Sequence, residues 1–342
     1  MRNLLVLVLL LIFAGILPAQ TKVGTTAANF LLIPVGPRAT GMGGAFTAIA
    51  NDATTAYWNP GGLSRVSRSE LTFAYTEWLV ETNFNWLGFV YKLDENNAVS
   101  LFVNQLDYGE DNITTPEQPL GTGEKWKAQD LAIGLSYSTQ LTDKFSIGGT
   151  MKYISQSIWN ESATAFAVDV GLLFFTPLDG LNLGANISNF GTDMKLDGRD
   201  LLLPADIDPA SAGNNENISS ALTTDSWPIP LVFAVGVSYY VLQNEDWRFV
   251  LASDVRIPNN QSTYLNFGSE LVWNNVISLR GGYNKLLLSE SDSVFDRGAE
   301  VGLTAGVGIQ YDFGDFFAKF DYSYSDFGIF DKISRFSLSV GY

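Results

Sequence analysis

The stretch Val301-Gly-Leu-Thr-Ala-Gly-Val-Gly-Ile-Gln-Tyr-Asp-Phe313 alternates between two kinds of residue. Every second residue, starting at Val301, is apolar, and the residues between them are Gly, Thr, Gln and Asp. A period of two places the two sets on opposite faces of a β-strand. The alternation returns in Phe336-Ser-Leu-Ser-Val-Gly-Tyr342 and in residues 131–137, 166–174 and 316–324. The sequence therefore predicts an all-β protein.

The length of these segments decides between an aqueous and a membrane barrel. They run for about 9–12 residues, the length with which a tilted strand crosses a bilayer, whereas strands of soluble sheets average about 5–6 residues. In a membrane barrel the apolar face meets lipid, and small and polar residues line the lumen. Aromatic residues gather near the strand ends, as interfacial girdles do, at Tyr239, Tyr240, Trp273, Tyr311, Phe313, Tyr322 and Tyr324. We therefore expect a transmembrane antiparallel β-barrel rather than a soluble propeller or sandwich.

The same pattern predicts about fourteen strands, an even number as in bacterial barrels. We place them at 70–79, 83–93, 98–108, 129–139, 145–157, 163–175, 181–189, 229–241, 247–256, 263–273, 276–284, 301–312, 316–325 and 334–342. Alternate connections are tight, and most of the others are longer and more polar, notably 109–128, 190–228, 285–300 and 326–333. Short periplasmic turns and long extracellular loops are the expected asymmetry. Both ends of the barrel sequence then fall on the periplasmic side.

A segment before the first strand breaks the pattern. Residues 35–63 are rich in Gly, Ala and Thr and show no period of two. Their features predict tight turns, a capped helical turn over 53–56 and an aromatic anchor, at Gly41, Gly43, Gly44, Asn51, Asp52, Tyr57, Trp58, Asn59 and Pro60. A Gly-x-Gly-x-x-Gly dinucleotide fingerprint is excluded, because Phe46 stands at the third glycine position. A compact peptide of small residues suits a confined space, so we expect residues of about 30–64 to form a hatch inside the lumen.

The chain divides into three parts. Residues 1–20 have a positive start, a short apolar run and a small residue before Gln20, which predicts a secretory signal peptide. Residues 21–69 are the N-terminal segment with the lumenal hatch, and residues 70–342 are the barrel. The absence of cysteine excludes disulfides and lipid anchoring through a cysteine, and the net charge of −16 argues against nucleic acid as a partner.

The N-terminal motifs have a family resemblance. Gly41-Met-Gly-Gly-Ala45, Ala50-Asn-Asp-Ala53 and Tyr57-Trp-Asn-Pro-Gly-Gly-Leu63 resemble the signature of the PorV/PorQ family, which is related in fold to the FadL long-chain fatty-acid channels. Later matches are Met194-Lys-Leu-Asp-Gly198, Ile229-Pro-Leu-Val-Phe233, Asp321-Tyr-Ser-Tyr-Ser-Asp-Phe-Gly328 and Arg335-Phe-Ser-Leu338. Gly61 stands where the family usually has alanine, a change that we interpret as mild, and Ser334 stands where many relatives have histidine.

This resemblance implies a fourteen-stranded barrel in the outer membrane with a hatch in its lumen. The best-known members serve type IX secretion: PorV-like proteins carry or receive cargo with a C-terminal signal domain, and PorQ-like proteins belong to a surface attachment complex. Many relatives have no assigned role, so the resemblance leaves the function open.

An enzyme is not expected. The chain has no His and no Cys, which removes Ser-His, Cys-His and ordinary zinc chemistry. Inward positions carry both acids and bases, namely Asp169, Asp254, Glu270, Asp321, Lys152, Arg280 and Lys319. We expect mutual ion pairs there rather than an acid–base site. Asp206, Asp208, Glu290 and Asp292 lack calcium-loop spacing and are interpreted as solvated loop charge. We predict no catalytic residue, no cofactor and no metal site.

Two functions remain open. The first is a secretion component that binds protein partners, secreted cargo among them, through the loop 190–228, with Asp200, Leu201, Leu202 and Trp227 as candidate contacts. The second is a FadL-like channel for a hydrophobic small molecule, which needs a lateral opening and an apolar pocket. In both cases the barrel wall contacts outer-membrane lipid.

The last strand carries a further predicted signal. Phe336, Leu338, Val340 and Tyr342 form its apolar face, and the chain ends on an aromatic residue. Because a barrel closes by pairing its last strand with its first, we expect this pattern to be read during insertion.

Overall fold

The computed structural model describes residues 24–206, 208, 210, 217–287, 302–328 and 332–342. Within them, fourteen long strands form one antiparallel sheet that closes on itself. The strands are β1 (Glu70–Glu77), β2 (Asn83–Lys92), β3 (Asn97–Asn112), β4 (Lys125–Thr142), β5 (Phe145–Ile158), β6 (Glu161–Phe175), β7 (Leu181–Gly191), β8 (Val232–Gln243), β9 (Trp247–Pro258), β10 (Tyr264–Trp273), β11 (Ile277–Leu287), β12 (Gly302–Asp312), β13 (Phe317–Asp326) and β14 (Lys332–Gly341). Each strand pairs with its neighbours in the chain, and β1 pairs with β14. The predicted signal peptide, Glu290 and Asp292 lie outside the described residues.

The alternation in the sequence corresponds to the two faces of the wall. In β12, Leu303, Val307, Ile309 and Tyr311 are exposed, while the Gly and Thr residues between them are buried. Because the buried face of a closed barrel points inward, the apolar set faces outward, where a membrane barrel meets lipid. The predicted all-β barrel is confirmed, with its expected number of strands.

The hairpin of β3 and β4 is longer than predicted. The sequence predicts a loop over 109–128, but the ladder continues past a bulge, with Glu110 paired to Lys127 and Asn112 paired to Lys125. The connection is only residues 113–124. The residues of this extension are polar and mostly exposed on both faces, so alternation gave no sign of a strand. A β-ladder can form here without a buried face, because its backbone hydrogen bonds join the two strands directly. The hairpin therefore projects beyond the apolar band of the barrel.

The two ends of the barrel differ. One end carries the tight turns, and there the N–H of Tyr342 donates to the carbonyl of Ser69, at 2.9 Å, just before β1. The other end carries the longer connections, of which residues 192–231 are the largest described one. By the asymmetry of bacterial barrels, the first end is periplasmic and the second extracellular. Among the described residues, no helix is long and apolar enough to cross a membrane.

The N-terminal segment, residues 24–69, contains short helices and no strand in its described part. Two are α-helical, α1 (Pro37–Gly41) and α2 (Thr55–Trp58), and two are 3-10 helices, Asn29–Leu32 and Pro60–Arg65. The helical turn predicted at 53–56 lies two residues later. Almost every residue from 35 to 64 is buried.

Candidate functional site

Glycines of the barrel wall allow the N-terminal segment to pack directly against the backbone of the wall. A Cβ added at any of five inward positions would lie 2.1–2.3 Å from an atom of the segment, at Gly148, Gly171, Gly184, Gly268 and Gly282. The atoms in the way belong to Met42, Gly43, Thr47, Asn59 and Pro60. The segment therefore lies inside the barrel, along strands β5 to β11, where only glycine leaves enough space.

Asn59 connects the segment to itself and to the wall. Its side-chain amide donates to the carbonyl oxygens of Thr47, at 2.7 Å, and Leu172, at 2.9 Å. Its Oδ1 accepts from the N–H of Gly61 at 3.1 Å and so caps the 3-10 helix that begins at Pro60. Asn59 is fully buried. An aliphatic residue here would leave buried carbonyl groups without donors.

Asp254 on β9 holds a second backbone stretch. Its Oδ2 accepts from the N–H groups of Phe46 and Thr47, both at 2.9 Å, and from the Thr47 hydroxyl at 2.7 Å. The sequence interpretation placed Asp254 inside but expected an ion pair. Backbone amide groups of the segment take the place of a basic side chain, because they can stabilise a buried carboxylate.

Tyr57 and Trp58 form the aromatic anchor of the segment. The Trp58 indole is 3% exposed and donates to the carbonyl of Val35 at 3.0 Å. It packs edge-on against Phe46 and Tyr57, with ring centroids 6.2 and 5.2 Å apart. Trp58 thus packs mainly within the segment, and Asn186 of the wall donates to its backbone carbonyl at 2.9 Å.

The predicted tight turn lies at Gly43 and Gly44, where φ is +64° and +76°. The Gly43 N–H donates to the hydroxyl of Thr304, which donates to the carbonyl of Gly41 at 3.1 Å. Left-handed backbone and close contact with the wall both favour glycine at this point.

A chain of buried charges crosses the periplasmic half of the lumen. Arg38 of α1 pairs with Asp52, at 2.9 Å, and with Glu270 of β10, at 2.8 Å. Arg280 of β11 joins Glu270 to Asp321, at 2.8 and 2.7 Å. Lys319 completes the chain at 3.1 Å from Asp321, and Lys152 pairs separately with Asp169. The inward charges thus form mutual pairs, apart from Asp254.

Asp52 meets an arginine of the segment rather than one of the wall. Its Oδ1 accepts from the N–H of Thr54 at 2.9 Å, so it also stabilises the turn before α2, whereas Asn51 accepts from Arg38 and caps nothing. Burial alone would raise the pKa of Asp52. The attraction of Arg38 and Lys319, with the hydrogen bonds from Thr54, holds that pKa below its ordinary value.

Part of the lumen wall is lined by large apolar side chains, which corrects the expectation of a small and polar lining. Phe84, Trp86, Phe102 and Ile154 on β2, β3 and β5 are buried and join one cluster with Met42 and Leu63 of the segment. The rings of Trp86 and Phe102 stack with centroids 6.3 Å apart. Strand β2 is apolar on both faces, so its period did not show which face points inward.

A cavity of about 720 Å³ lies on the extracellular side of the segment. Its floor contains Phe30, Ile33 and Trp58, and its walls include the ends of β9, β11 and β14 and the connection from Trp78 to Thr82. This volume is typical of sites that take a small molecule. Among the described residues, no group of His, Cys, Asp or Glu is placed to hold a metal ion.

The long loop, residues 192–231, is folded into short ladders. Leu202–Ala205 pairs with Ile218–Ala221, and Met194–Lys195 pairs with Ser226–Trp227. Asp197–Gly198 pairs with the first two residues of β6. The side chain of Asp200 accepts from Asn160 at 2.8 Å and so ties the loop to the neighbouring turn. Leu202 and Trp227 are half exposed, while Leu201 is partly buried.

The C-terminal apolar residues face outward. Phe336, Leu338, Val340 and Tyr342 are all exposed, and Leu338 and Val340 lie opposite Phe73 and Leu71 of β1. They lie at the seam where the barrel closes. Their role as an insertion signal stays a prediction.

Comparisons with known proteins agree with this geometry. The family model described as type IX secretion system protein PorV matches residues 17–212, which is more than half of the chain. The chain belongs to the PorV family. A UPF0164 protein from Treponema pallidum (strain Nichols) is 25% identical over 182 residues, which are 50% of this chain and 55% of that protein. The chain thus spans about half the length of the curated relative it matches.

Several solved structures of other barrels are similar in fold to this chain. The CymD monoaromatic hydrocarbon channel is similar with a TM-score of 0.58 and 14% identity, covering 92% of this chain and 97% of that one. The Pseudomonas putida toluene transporter TodX is similar with a TM-score of 0.52 and 14% identity, and the match covers 90% of this chain and 96% of that one. A Pseudomonas aeruginosa FadL homologue is similar with a TM-score of 0.50 and 13% identity, and the match covers 95% of this chain and 98% of that one. These likenesses show a FadL-like barrel fold. The family match confirms the resemblance given by the N-terminal motifs.

Proposed function

We propose that this PorV-family barrel serves type IX secretion by binding secreted cargo or attachment partners at the cell surface through its long loop. Family membership gives the secretion context. The observation that carries the proposal is the apolar surface of the loop, at Leu202, Leu203, Leu222 and Trp227, whose side chains are about half exposed. Several exposed large apolar side chains on one water-facing loop are typical of a region that binds another protein.

The backbone of the loop supports the same proposal. The ladder of Leu202–Ala205 with Ile218–Ala221 has two strands, and neither has a further strand partner among the described residues. An open strand edge offers unpaired N–H and C=O groups to which an extended partner chain can add. A partner strand that pairs here would also cover the leucines.

The leucines give a direct test. We expect Leu202→Asp with Leu203→Asp to lower co-purification of a secreted protein carrying a C-terminal signal domain by roughly tenfold, because a charge replaces each apolar side chain that the bound partner would cover. The matched control is Leu178→Asp, since Leu178 is 52% exposed, as Leu202 is, but lies in a turn at the periplasmic end. Wild-type recovery of cargo with the double variant would contradict the proposal.

Replacement of the ladder separates binding from folding. The Leu222 N–H donates to the Leu201 carbonyl at 2.8 Å, so the two ends of the ladder are adjacent and a short Gly/Ser linker can replace residues 202–221. We expect this variant to insert as a heat-resistant barrel, because loops tolerate change better than ladders of the wall, and to bind no cargo. If the barrel fails to insert while cargo still binds, the loop has been assigned the wrong role.

A second function, passage of small hydrophobic molecules, is favoured by the extracellular cavity. Asn266 lines this cavity at a bulge of β10, between Leu265 and Phe267. On the outer surface beside this bulge, Phe267, Gly281 and Tyr283 line a groove of about 540 Å³. A lateral path would cross the wall there. We expect proteoliposomes that contain the protein to take up toluene faster than protein-free vesicles. Equal rates of uptake would contradict this function.

A further inference from the structure

The two ends of the N-terminal segment lie at opposite ends of the barrel. At the periplasmic end, the Arg65 guanidinium group donates to the carbonyl oxygens of Thr142, at 3.0 Å, and Asp143, at 2.8 Å, in the tight turn between β4 and β5. The Lys92 ammonium group donates to the Ser64 carbonyl at 2.7 Å. These contacts fix the segment where the chain leaves the lumen to begin β1.

The other end of the segment is held at the extracellular rim by two backbone N–H groups. The N–H of Ala27 donates to the carbonyl of Pro228, at 2.9 Å, near the end of the long loop. The N–H of Ala28 donates to the side-chain oxygen of Gln156 at 2.9 Å, and Gln156 lies two residues before the extracellular end of β5. Both acceptors therefore belong to the extracellular end of the barrel.

A buried side chain holds the same end from a third element. Asn260 lies in the connection after β9 and is 3% exposed. Its side-chain amide donates to the Thr26 hydroxyl, at 2.7 Å, and to the Asn29 side-chain oxygen, at 2.8 Å. Residues 26–29, which we call the N-terminal clasp, thus join the long loop, β5 and the connection after β9.

The chain between the clasp and Ser64 passes through the lumen. Almost every residue from 35 to 64 is buried, and the wall glycines already described contact its backbone at the middle of the barrel. On the outer side of the clasp, Gly24 is exposed and lies at the mouth of the extracellular cavity. A Cβ at Gly24 would meet nothing within 4 Å. The segment therefore runs from the extracellular rim to the periplasmic turns.

We propose that the mature protein exposes its amino-terminal end at the cell surface, where this end forms one interaction surface with the long loop. Cleavage after Ala19, as the sequence predicts, leaves residues 20–23 before Gly24. Four residues reach at most about 14 Å, whereas the apolar band of an outer-membrane barrel is about 25 Å tall. The end therefore stays outside. A macromolecule that approaches the long loop from outside meets it too, because the clasp is bonded to Pro228.

Single cysteines test on which side the end lies, since the chain has no cysteine of its own. The reagent is a polyethylene-glycol maleimide too large to cross the outer membrane. We expect Gly24→Cys to be labelled on intact cells as fully as Leu120→Cys, because Leu120 is 97% exposed in the connection between β3 and β4. Glu245→Cys, in the periplasmic turn between β8 and β9, is the opposite control and should be labelled only after the outer membrane is permeabilised.

A second variant removes the effect of backbone strain. Gly24 has a φ of +76°, which favours glycine, whereas Thr25→Cys carries no such strain. We expect Thr25→Cys to be labelled on intact cells as well. Labelling of both variants only after permeabilisation, or in neither preparation, would overturn the proposal.

Hydrogen exchange tests the clasp. We expect Gln156→Ala and Asn260→Ala each to speed amide exchange in residues 26–32 by roughly fivefold and to leave residues 55–65 unchanged, because each loses bonds at the rim only. Asn244→Ala is the control, since Asn244 accepts from the Trp247 N–H at 2.7 Å in a periplasmic turn. Wild-type exchange in both clasp variants would overturn the placement of this end at the rim.

The result is separable from the proposed functions. The label reports on which side of the membrane the end lies, and it does so whether or not the long loop binds cargo or the barrel takes up toluene. Loss of cargo binding in the Leu202 and Leu203 variants, with Gly24→Cys labelled on intact cells, would confirm both proposals. Wild-type cargo recovery with the same label would remove the loop's role and keep the exposed end.

Discussion

Gly61 shows how closely the N-terminal segment fits the wall. A Cβ at Gly61 would lie 2.6 Å from the Cα of Leu172 and 2.7 Å from the carbonyl oxygen of Gly171. Alanine, which the family usually has there, is therefore no mild change in this chain. We expect Gly61→Ala to destabilise the packed segment by about 1–3 kcal/mol, because rigid backbone must move to admit the methyl group.

Protease protection of the segment measures this effect. Gly149→Ala is the matched control, since a Cβ there would meet its nearest atom, the Asp169 carbonyl oxygen, at an ordinary 3.5 Å. A Gly61→Ala protein as resistant to protease as the wild type would show that the wall can yield at this point.

Asp52 gives the segment a dependence on pH. Its pKa in the folded protein is below the ordinary value near 3.8, despite burial, because of Arg38 and the other groups around it. A carboxyl with a lowered pKa stabilises the folded state above its unfolded pKa, and this stability is lost as the pH falls through the folded pKa. We therefore expect the segment to loosen below about pH 4.

Protease accessibility between pH 7 and pH 2.5, with an acid-active protease, measures the step. Asp52→Asn should be less protected at neutral pH and should lose part of the acid step, since it has no carboxylate to protonate. An unchanged acid midpoint and amplitude in Asp52→Asn would assign the loosening to other groups.

At the scale of elements, the segment that fills the lumen is the feature with the clearest physical consequence. Residues 35–64 lie inside the barrel and contact strands on several sides, so we expect them to block the flow of ions. Deletion of residues 39–62, or Trp58→Ala with Asn59→Ala, should raise single-channel conductance in planar bilayers. The double substitution removes the buried indole and the amide that bridges Thr47 and Leu172. Burial of Trp58 contributes on the order of 2 kcal/mol.

The control for the hatch prediction is Trp227→Ala, because this substitution also removes an indole, but from the long loop, where Trp227 is half exposed. This variant should conduct as the wild type does. Equal conductance of the wild type and the deletion variant would mean that the segment does not plug the pore.

At the scale of the whole molecule, the barrel depends on one seam between the ends of its sequence. Leu71 and Glu70 of β1 pair with Val340 and Gly341 of β14, and Tyr342 donates to the Ser69 carbonyl. We expect deletion of residues 340–342 to deplete folded protein from the outer membrane, because it removes ladder bonds and apolar wall where closure occurs.

Heat-modifiable migration of outer-membrane fractions measures the folded barrel. Deletion of residues 115–117, three residues of the exposed loop between β3 and β4, is the control of equal length. Normal abundance of folded barrel after the C-terminal deletion would remove these residues from any role in insertion.

The wall of the barrel was predictable from the sequence, and the reason is local. Side chains of a strand alternate with a period of two, so a stretch such as 301–313 shows its two faces without reference to any neighbour. The tight turns between β2 and β3 or between β12 and β13 are equally local. The strand at β2 was predicted, but not which of its two apolar faces points inward. The polar extension of β3 and β4 was missed, because its residues show no alternation.

The contents of the barrel were decided by the tertiary structure. Asn59 and Asp52 were recognisable as special residues, but their partners Leu172 and Arg38 depend on how the segment lies against the wall. Arg256 of β9 and Arg335 of β14 line the same cavity, although they are far apart in the sequence. Such contacts depend on the register between strands and on the space that remains inside the closed barrel. Neither can be inferred from a local stretch of residues. The sequence by itself determined which faces point to lipid in the strands that alternate, while the closed barrel decided which charges and backbone groups meet inside.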